Sequence, residues 1–182
     1  MFLLGFVYPM LPKGIIPVRI FFLLIYVPTI IMSIFILLYN NESGSKTVNN
    51  ITTGNNLNPS ESFLQAVRIM VIIGIYVMIF SILLSILIPR SSSVHFKCAL
   101  SFLEITTGLK LLCSLPLSTK TQICLIMSLS SFGGLSSAFQ IMGVLLYNNN
   151  SIKKYLRDKI ILSAGTLLLT LIYLWVRSFS PL

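Results

Sequence analysis

Glu104 is the residue of this chain best placed to do chemistry, and it stands inside an apolar run. The stretch from Phe102 to Lys110 reads FLEITTGLK, at the centre of a segment from about Val94 to Leu115. An ionisable side chain within a membrane-length segment is costly and marks a functional site by default. On a helix, Glu104, Thr107 and Gly108 share one face by their i, i+3, i+4 spacing, and Thr106 and Lys110 share another. The chemistry open to such a set is recognition and proton exchange. A carboxyl can take up and release a proton, hydroxyls can hydrogen-bond a solute, and a lysine can balance charge. A structural ion pair is the competing role. Lys97 lies two turns before Glu104 on the same face, and Lys110 lies near the far end, where it can snorkel.

A second polar-centred stretch follows after a short turn. Ser128 to Gln140 reads SLSSFGGLSSAFQ within an apolar segment from about Gln122 to Tyr147. In lipid every backbone N–H and C=O needs a partner inside the protein. One reading is a helix broken at Gly133-Gly134, where freed backbone groups and Ser136 face a solute. The other is a continuous helix whose small face, Ser130 with Gly134 and Gly133 with Ser137, admits a second helix. Gln140 continues that small face with an amide that packing does not need. Secondary transporters place interrupted, polar-centred helices together near the midplane, and the nearby Glu104 segment favours the broken helix. The candidate solute-contacting residues are therefore Glu104, Thr106, Thr107, Gly133, Gly134, Ser136 and Gln140, with Lys97 and Lys110 as candidate charge partners.

Other chemistries find little to work with. The chain has four acidic residues and one histidine. It carries no Ser/His/Asp set, HExxH helix or phosphate-binding loop, and an enzyme is not expected. Cys98, Cys113 and Cys124 share no metal-ligand spacing and read as buried thiols, so neither a metal nor a cofactor is expected.

The elements that must hold these residues are membrane helices. The 182 residues are 55% hydrophobic and 9% charged, with a mean hydropathy of +0.93. Soluble domains carry about 25% charged residues, and so few charges cannot build a wetted surface. A single all-α polytopic membrane domain over residues 1–182 is expected. The net charge of +9 sits between apolar runs, facing lipid headgroups, and does not point to nucleic acid.

Taken in order, residues 1–12 are apolar but too short to span, and Pro9 and Pro12 interrupt them, giving an interfacial or re-entrant piece. Spans are expected over about Val18–Tyr39, with Pro28 as a kink, and Ile69–Ile88. Residues 40–60, rich in Asn, Ser, Thr and Gly, read as a flexible polar loop outside the membrane. Residues 94–147 hold the two polar-centred segments. A basic stretch up to Lys159 then precedes a last span over about Ile160–Val176, where Tyr173 and Trp175 form an aromatic belt. The expected total is about five transmembrane helices, one or two of them discontinuous or re-entrant.

With five crossings, one side holds Lys13, Arg19, Arg90, Lys97, Lys153, Lys154, Arg157 and Lys159. The other holds Lys46, Arg68, Lys120 and Arg177. The positive-inside rule then puts the N-terminus in the cytoplasm and the C-terminus outside. A re-entrant hairpin in place of one crossing flips the C-terminal side.

Three stretches together resemble a known family. They are LEITTG (Leu103 to Gly108), SSFGGLSSAFQ (Ser130 to Gln140) and the basic IKKYLRDKI (Ile152 to Ile160). They are similar to the C-terminal half of the YlbJ, or SpoVV, family of sporulation integral membrane proteins, in the nucleoside-recognition or Gate group of membrane domains. Glu104, Thr106 and Gly108 match that family's first motif. Phe132, Gly133, Gly134, Leu135, Ser136 and Gln140 match its second, and Phe139 departs from its usual alanine. The likeness covers roughly residues 100–175. It implies transport of a small organic solute across a bacterial plasma membrane, an aromatic dianion such as dipicolinate in the sporulation members. It also implies one half of an inverted-repeat, transporter-like fold. The second half would be a separate membrane subunit or a homo-oligomeric copy, and the charge bias favours the separate subunit. The alternative is a non-transporting membrane subunit for assembly or signalling.

Overall fold

The computed structural model describes residues 3–11, 15–40, 59–144 and 149–179. All of its regular structure is helical. A π-turn over Leu3–Val7 runs into the single turn α1 (Tyr8–Met10). The long helices α2 (Val18–Asn40) and α3 (Pro59–Arg90) follow. The two short helices α4 (Val94–Ser101) and α5 (Ile105–Ser114) come next. Then come α6 (Thr119–Phe132) and α7 (Leu135–Val144), and last α8 (Asn149–Phe179). The polar loop expected over residues 40–60 lies mostly outside the described residues, and its last two positions already belong to α3, which starts about ten residues before the expected span.

Among the described residues, four stretches are long and apolar enough to cross a membrane: Val18–Leu38, Pro59–Arg90, Thr119–Gly143 and Ile152–Ser178. The expected count of five is therefore corrected. The missing one is the third, and the reason is local. Gly108 packs so closely on Ser101 that a Cβ there would overlap the Ser101 carbonyl. Along an unbroken helix these residues would stand about 10.5 Å apart. The chain instead turns back at residues 102–104, and α4 and α5 form a helical hairpin. The last span also differs from expectation. Its helix begins before the expected start at about Ile160, since the basic stretch from Ile152 to Lys159 forms the opening turns of α8.

Side-chain contacts fix the direction of each helix. Gly143 of α7 meets Ile72 and Tyr76 of α3, and Phe139 meets Tyr76 and Phe80 at ring distances of 6.4 and 5.3 Å. These two helices thus run antiparallel. Lys120 Nζ at the start of α6 reaches Ser178 Oγ at the end of α8, 3.4 Å away. Leu135 of α7 lines the same groove as Leu156 of α8. The α6–α7 line and α8 are therefore also antiparallel. Pro28 of α2 faces Gly165 of α8, and Phe35 shares a groove with Ile161, which sets α2 antiparallel to α8. Gln122 Nε2 donates to the Leu112 carbonyl, 3.0 Å away, so α5 runs back along α6. With four long helices and one hairpin, Val18 and Ser178 lie at the same end of the bundle.

The packing centre is α6. Its Ile123, Ile126, Met127 and Leu129 are fully buried, together with Leu109 and Leu112 of α5 and Phe21 of α2. The N-terminal piece covers this cluster with Val7 and Leu11, and the Cys113 thiol meets the Met10 carbonyl at 3.7 Å. By contrast α3 buries only Leu84.

Candidate functional site

The two interruptions meet. Where α6 ends, Gly133 and Gly134 take left-handed backbone conformations, with φ of 83° and 79°. Gly133 N–H closes α6 on the Leu129 carbonyl, 2.9 Å away, the usual glycine exit from a helix. The N–H groups of Leu135 and Ser136, which open α7, then donate to the Phe102 and Leu103 carbonyls, each at 2.9 Å. Those carbonyls belong to the turn of the α4–α5 hairpin. The orphan donors of one helix start are thus satisfied by the orphan acceptors of one helix end, and the helix dipoles meet favourably.

Glu104 sits in this crossing with 1% of its surface exposed. It is extended, with φ −141° and ψ 132°, and serves as N-cap of α5. Its Oε1 accepts from Thr106 N at 2.9 Å, and its Oε2 accepts from Thr107 N at 2.6 Å. The Thr106 hydroxyl lies 2.8 and 2.7 Å from the two oxygens. Thr107 Oγ1 meets Ser81 Oγ of α3 at 3.1 Å, which ties the cap to the otherwise bare helix. Gly134 lies against the backbone of this cap, since a Cβ there would stand 3.0 Å from Ile105 N and 3.3 Å from Glu104 Cα. Ser136 is 2% exposed and held through its N–H.

Glu104, Thr106, Thr107, Gly134 and Ser136 are therefore brought together, with Gly133 adjoining. Gln140 lies half-buried farther along α7, and the hydrogen bonds of the Glu104 carboxylate come from Thr106 and Thr107. The candidate charge partners are not engaged. Lys110 is exposed on α5 and Lys97 is half-buried on α4, whereas Asp158 pairs with its neighbour Arg157 at 3.2 Å. The physical reason is the hairpin, which breaks the single helix on which Lys97, Glu104 and Lys110 were to share faces. No group of metal-ligating side chains occurs among the described residues.

One polar feature escaped sequence reasoning. Ser128 Oγ meets Ser163 Oγ at 2.7 Å, and Ser131 Oγ donates to Thr166 Oγ1 at 2.8 Å. Thr170 continues the row on α8, fully buried. The signal was present in the spacing of Ser163, Thr166 and Thr170, which puts three hydroxyls on one helical stripe. Next to this row an apolar groove of about 400 Å³ runs along Phe132, Leu135, Ile160 and Leu167 and reaches Phe102 at the crossing.

No protein-family model, curated protein or solved structure matches this chain.

Proposed function

We propose that this chain is one half of a membrane transporter for a small organic anion, with the crossed breaks as its solute site. The observation that supports this most is the meeting of two helix interruptions, backbone to backbone, around a buried carboxylate. Irregular backbone at membrane depth is tolerated only where it is buried in protein or lines a cavity. Interrupted helices meeting near the midplane are how secondary transporters build their sites.

In this reading Glu104 occupies the place of the solute. Its carboxylate rests on the Thr106 and Thr107 N–H groups, where the N-terminus of α5 favours negative charge. Protonation weakens its hold and frees those donors for a solute carboxylate, with the Thr106 hydroxyl completing the contact. Solute and proton then move together. Gly133 and Gly134 allow the close backbone approach, Ser136 holds the far side of the crossing, and Gln140 supplies an amide farther along α7. The resemblance noted above makes dipicolinate the first solute to try, the bacterial plasma membrane the expected location, and a second half the expected partner.

The test is uptake of labelled dipicolinate by proteoliposomes holding the chain with whatever co-purifies in mild detergent. Glu104→Gln keeps the shape and one of the two cap acceptors, but it cannot carry a proton. Uptake is expected to fall at least tenfold while membrane levels hold, and full uptake by that variant would sink the assignment. A second reading, a non-transporting subunit for assembly or signalling, is favoured by one fact: the Glu104 carboxylate is already satisfied within the chain. That reading expects Glu104→Gln to weaken complex formation and Gly134→Leu to weaken it more.

A further inference from the structure

We infer that this chain inserts into the membrane in both orientations, and that the second half it needs is an inverted copy of itself. The inference starts from the hairpin. Had residues 94–115 crossed, the chain would place eight of the basic residues counted above on one side and four on the other. Because α4 and α5 turn back, every basic residue after them changes sides. Lys120 and Arg177 join the end that holds Val18, while Lys153, Lys154, Arg157 and Lys159 leave it.

Among the described residues, the first end then carries Arg19, Arg90, Lys97, Lys120 and Arg177, with Lys110 four residues from the end of α5 on the same side. The second carries Arg68, Lys153, Lys154, Arg157 and Lys159. The tally becomes six against five, where an unbroken third crossing gave eight against four. Orientation follows the excess of Lys and Arg near helix ends, and acidic residues contribute little. Glu61 and Asp158 fall at the second end and weigh little in that rule. An excess of one leaves neither orientation clearly preferred.

A fold read as half of an inverted pair needs a partner turned over in the membrane, and a chain that inserts both ways supplies one. The pairing clause rests on the half-transporter reading, whereas the orientation clause rests on the helix directions and the charge count alone.

The experiment uses the full chain with Cys98, Cys113 and Cys124 changed to Ala and one reporter cysteine. Ser60→Cys reports the second end and Ser92→Cys the first, and both positions are exposed. A membrane-impermeant maleimide is applied to intact cells and then after permeabilisation. Roughly half of each reporter should label from outside. Labelling of Ser60→Cys from one side only, with Ser92→Cys wholly on the other, overturns the inference.

Two charge-locked variants test pairing. Ser60→Lys with Ser62→Lys should drive the second end to the cytoplasm, as read with Ser92→Cys. Ser92→Lys with Ser93→Lys should drive it outside, as read with Ser60→Cys. Carrying different tags and co-expressed, the two should co-purify, whereas two copies of the same locked variant should not. Split labelling without such co-purification overturns the second-copy clause and leaves a separate subunit as the missing half. Split labelling and co-purification without dipicolinate uptake count against the solute reading alone.

Discussion

The two helix breaks do the same thing by different means. In the α6–α7 line the backbone itself is the device. Gly133 and Gly134 adopt positive φ, a conformation that costs other L-residues about 1–2 kcal/mol each, and the chain continues across the bundle. In the α4–α5 hairpin a side chain is the device. Glu104 is extended and caps α5, Gly108 accepts the Ser101 backbone against itself, and the chain reverses. A glycine pair permits a break without fixing where the chain goes next. A cap combined with a close backbone contact fixes the direction as well. The comparison also explains why one segment counts as a membrane-length span and the other does not.

Gly108 offers the most severe way to break that comparison. Its missing Cβ is filled by a backbone carbonyl, which cannot rotate aside as a side chain can. Gly108→Leu should therefore open the hairpin and leave little folded protein in mild detergent, with a loss beyond about 4 kcal/mol by the overpacking route. Gly74→Leu is the control, because Gly74 has open space around it in α3. That variant should elute at the wild-type position in size-exclusion chromatography with an unchanged melting temperature. A Gly108→Leu protein that melts normally would show that the hairpin does not depend on this contact.

The glycine pair gives a smaller and sharper test. Both positions have positive φ, yet only Gly134 presses on the Glu104–Ile105 backbone, while a Cβ at Gly133 would meet only the Ser137 side chain at 3.5 Å. Gly133→Ala should lose about 1–2 kcal/mol from backbone conformation alone. Gly134→Ala should lose that amount plus the cost of separating the two breaks. Asn tolerates the left-handed region better than Ala, so Gly133→Asn should recover part of the loss and Gly134→Asn should not. Equal losses in thermal unfolding at the two glycines would mean that the breaks do not bear on each other.

Much of this was legible in the sequence, and the parts that were not have physical reasons. The break at Gly133-Gly134 was legible because Gln140 and the nearby Glu104 segment outweighed the helix-packing use of the small residues. That Glu104 would be enclosed by protein and not face lipid was legible from the cost of a carboxylate in an apolar run. Its role as a cap was not. The run Glu-Ile-Thr-Thr places an acceptor just ahead of two free N–H groups only if the helix starts there, and the apolar periodicity of residues 94–115 carries no sign of that start. The hairpin followed from the same omission, and with it went the fifth crossing, the lysine partners and the charge bias. The early start of α3 was missed because Pro59-Ser-Glu is an adequate helix opening that an apolar window cannot register.

The hydroxyl row between α6 and α8 tests the comparison most gently, because it joins helices that are not broken at the contact. If the crossing of the breaks carries the local stability, the row is worth only what side-chain hydrogen bonds are ordinarily worth inside a membrane, about 0.6 kcal/mol per pair. Ser131→Ala and Thr166→Val each remove one side of the 2.8 Å bond, and the double variant removes both. Thermal unfolding of the four proteins gives the coupling energy directly, and a value near that figure is expected. A coupling several times larger would place the row within the crossing, since α6 carries Ser131 two residues before Gly133. In that case the break in α6–α7 would be held from α8 as well as from Glu104, and the glycine pair would no longer act by backbone conformation alone.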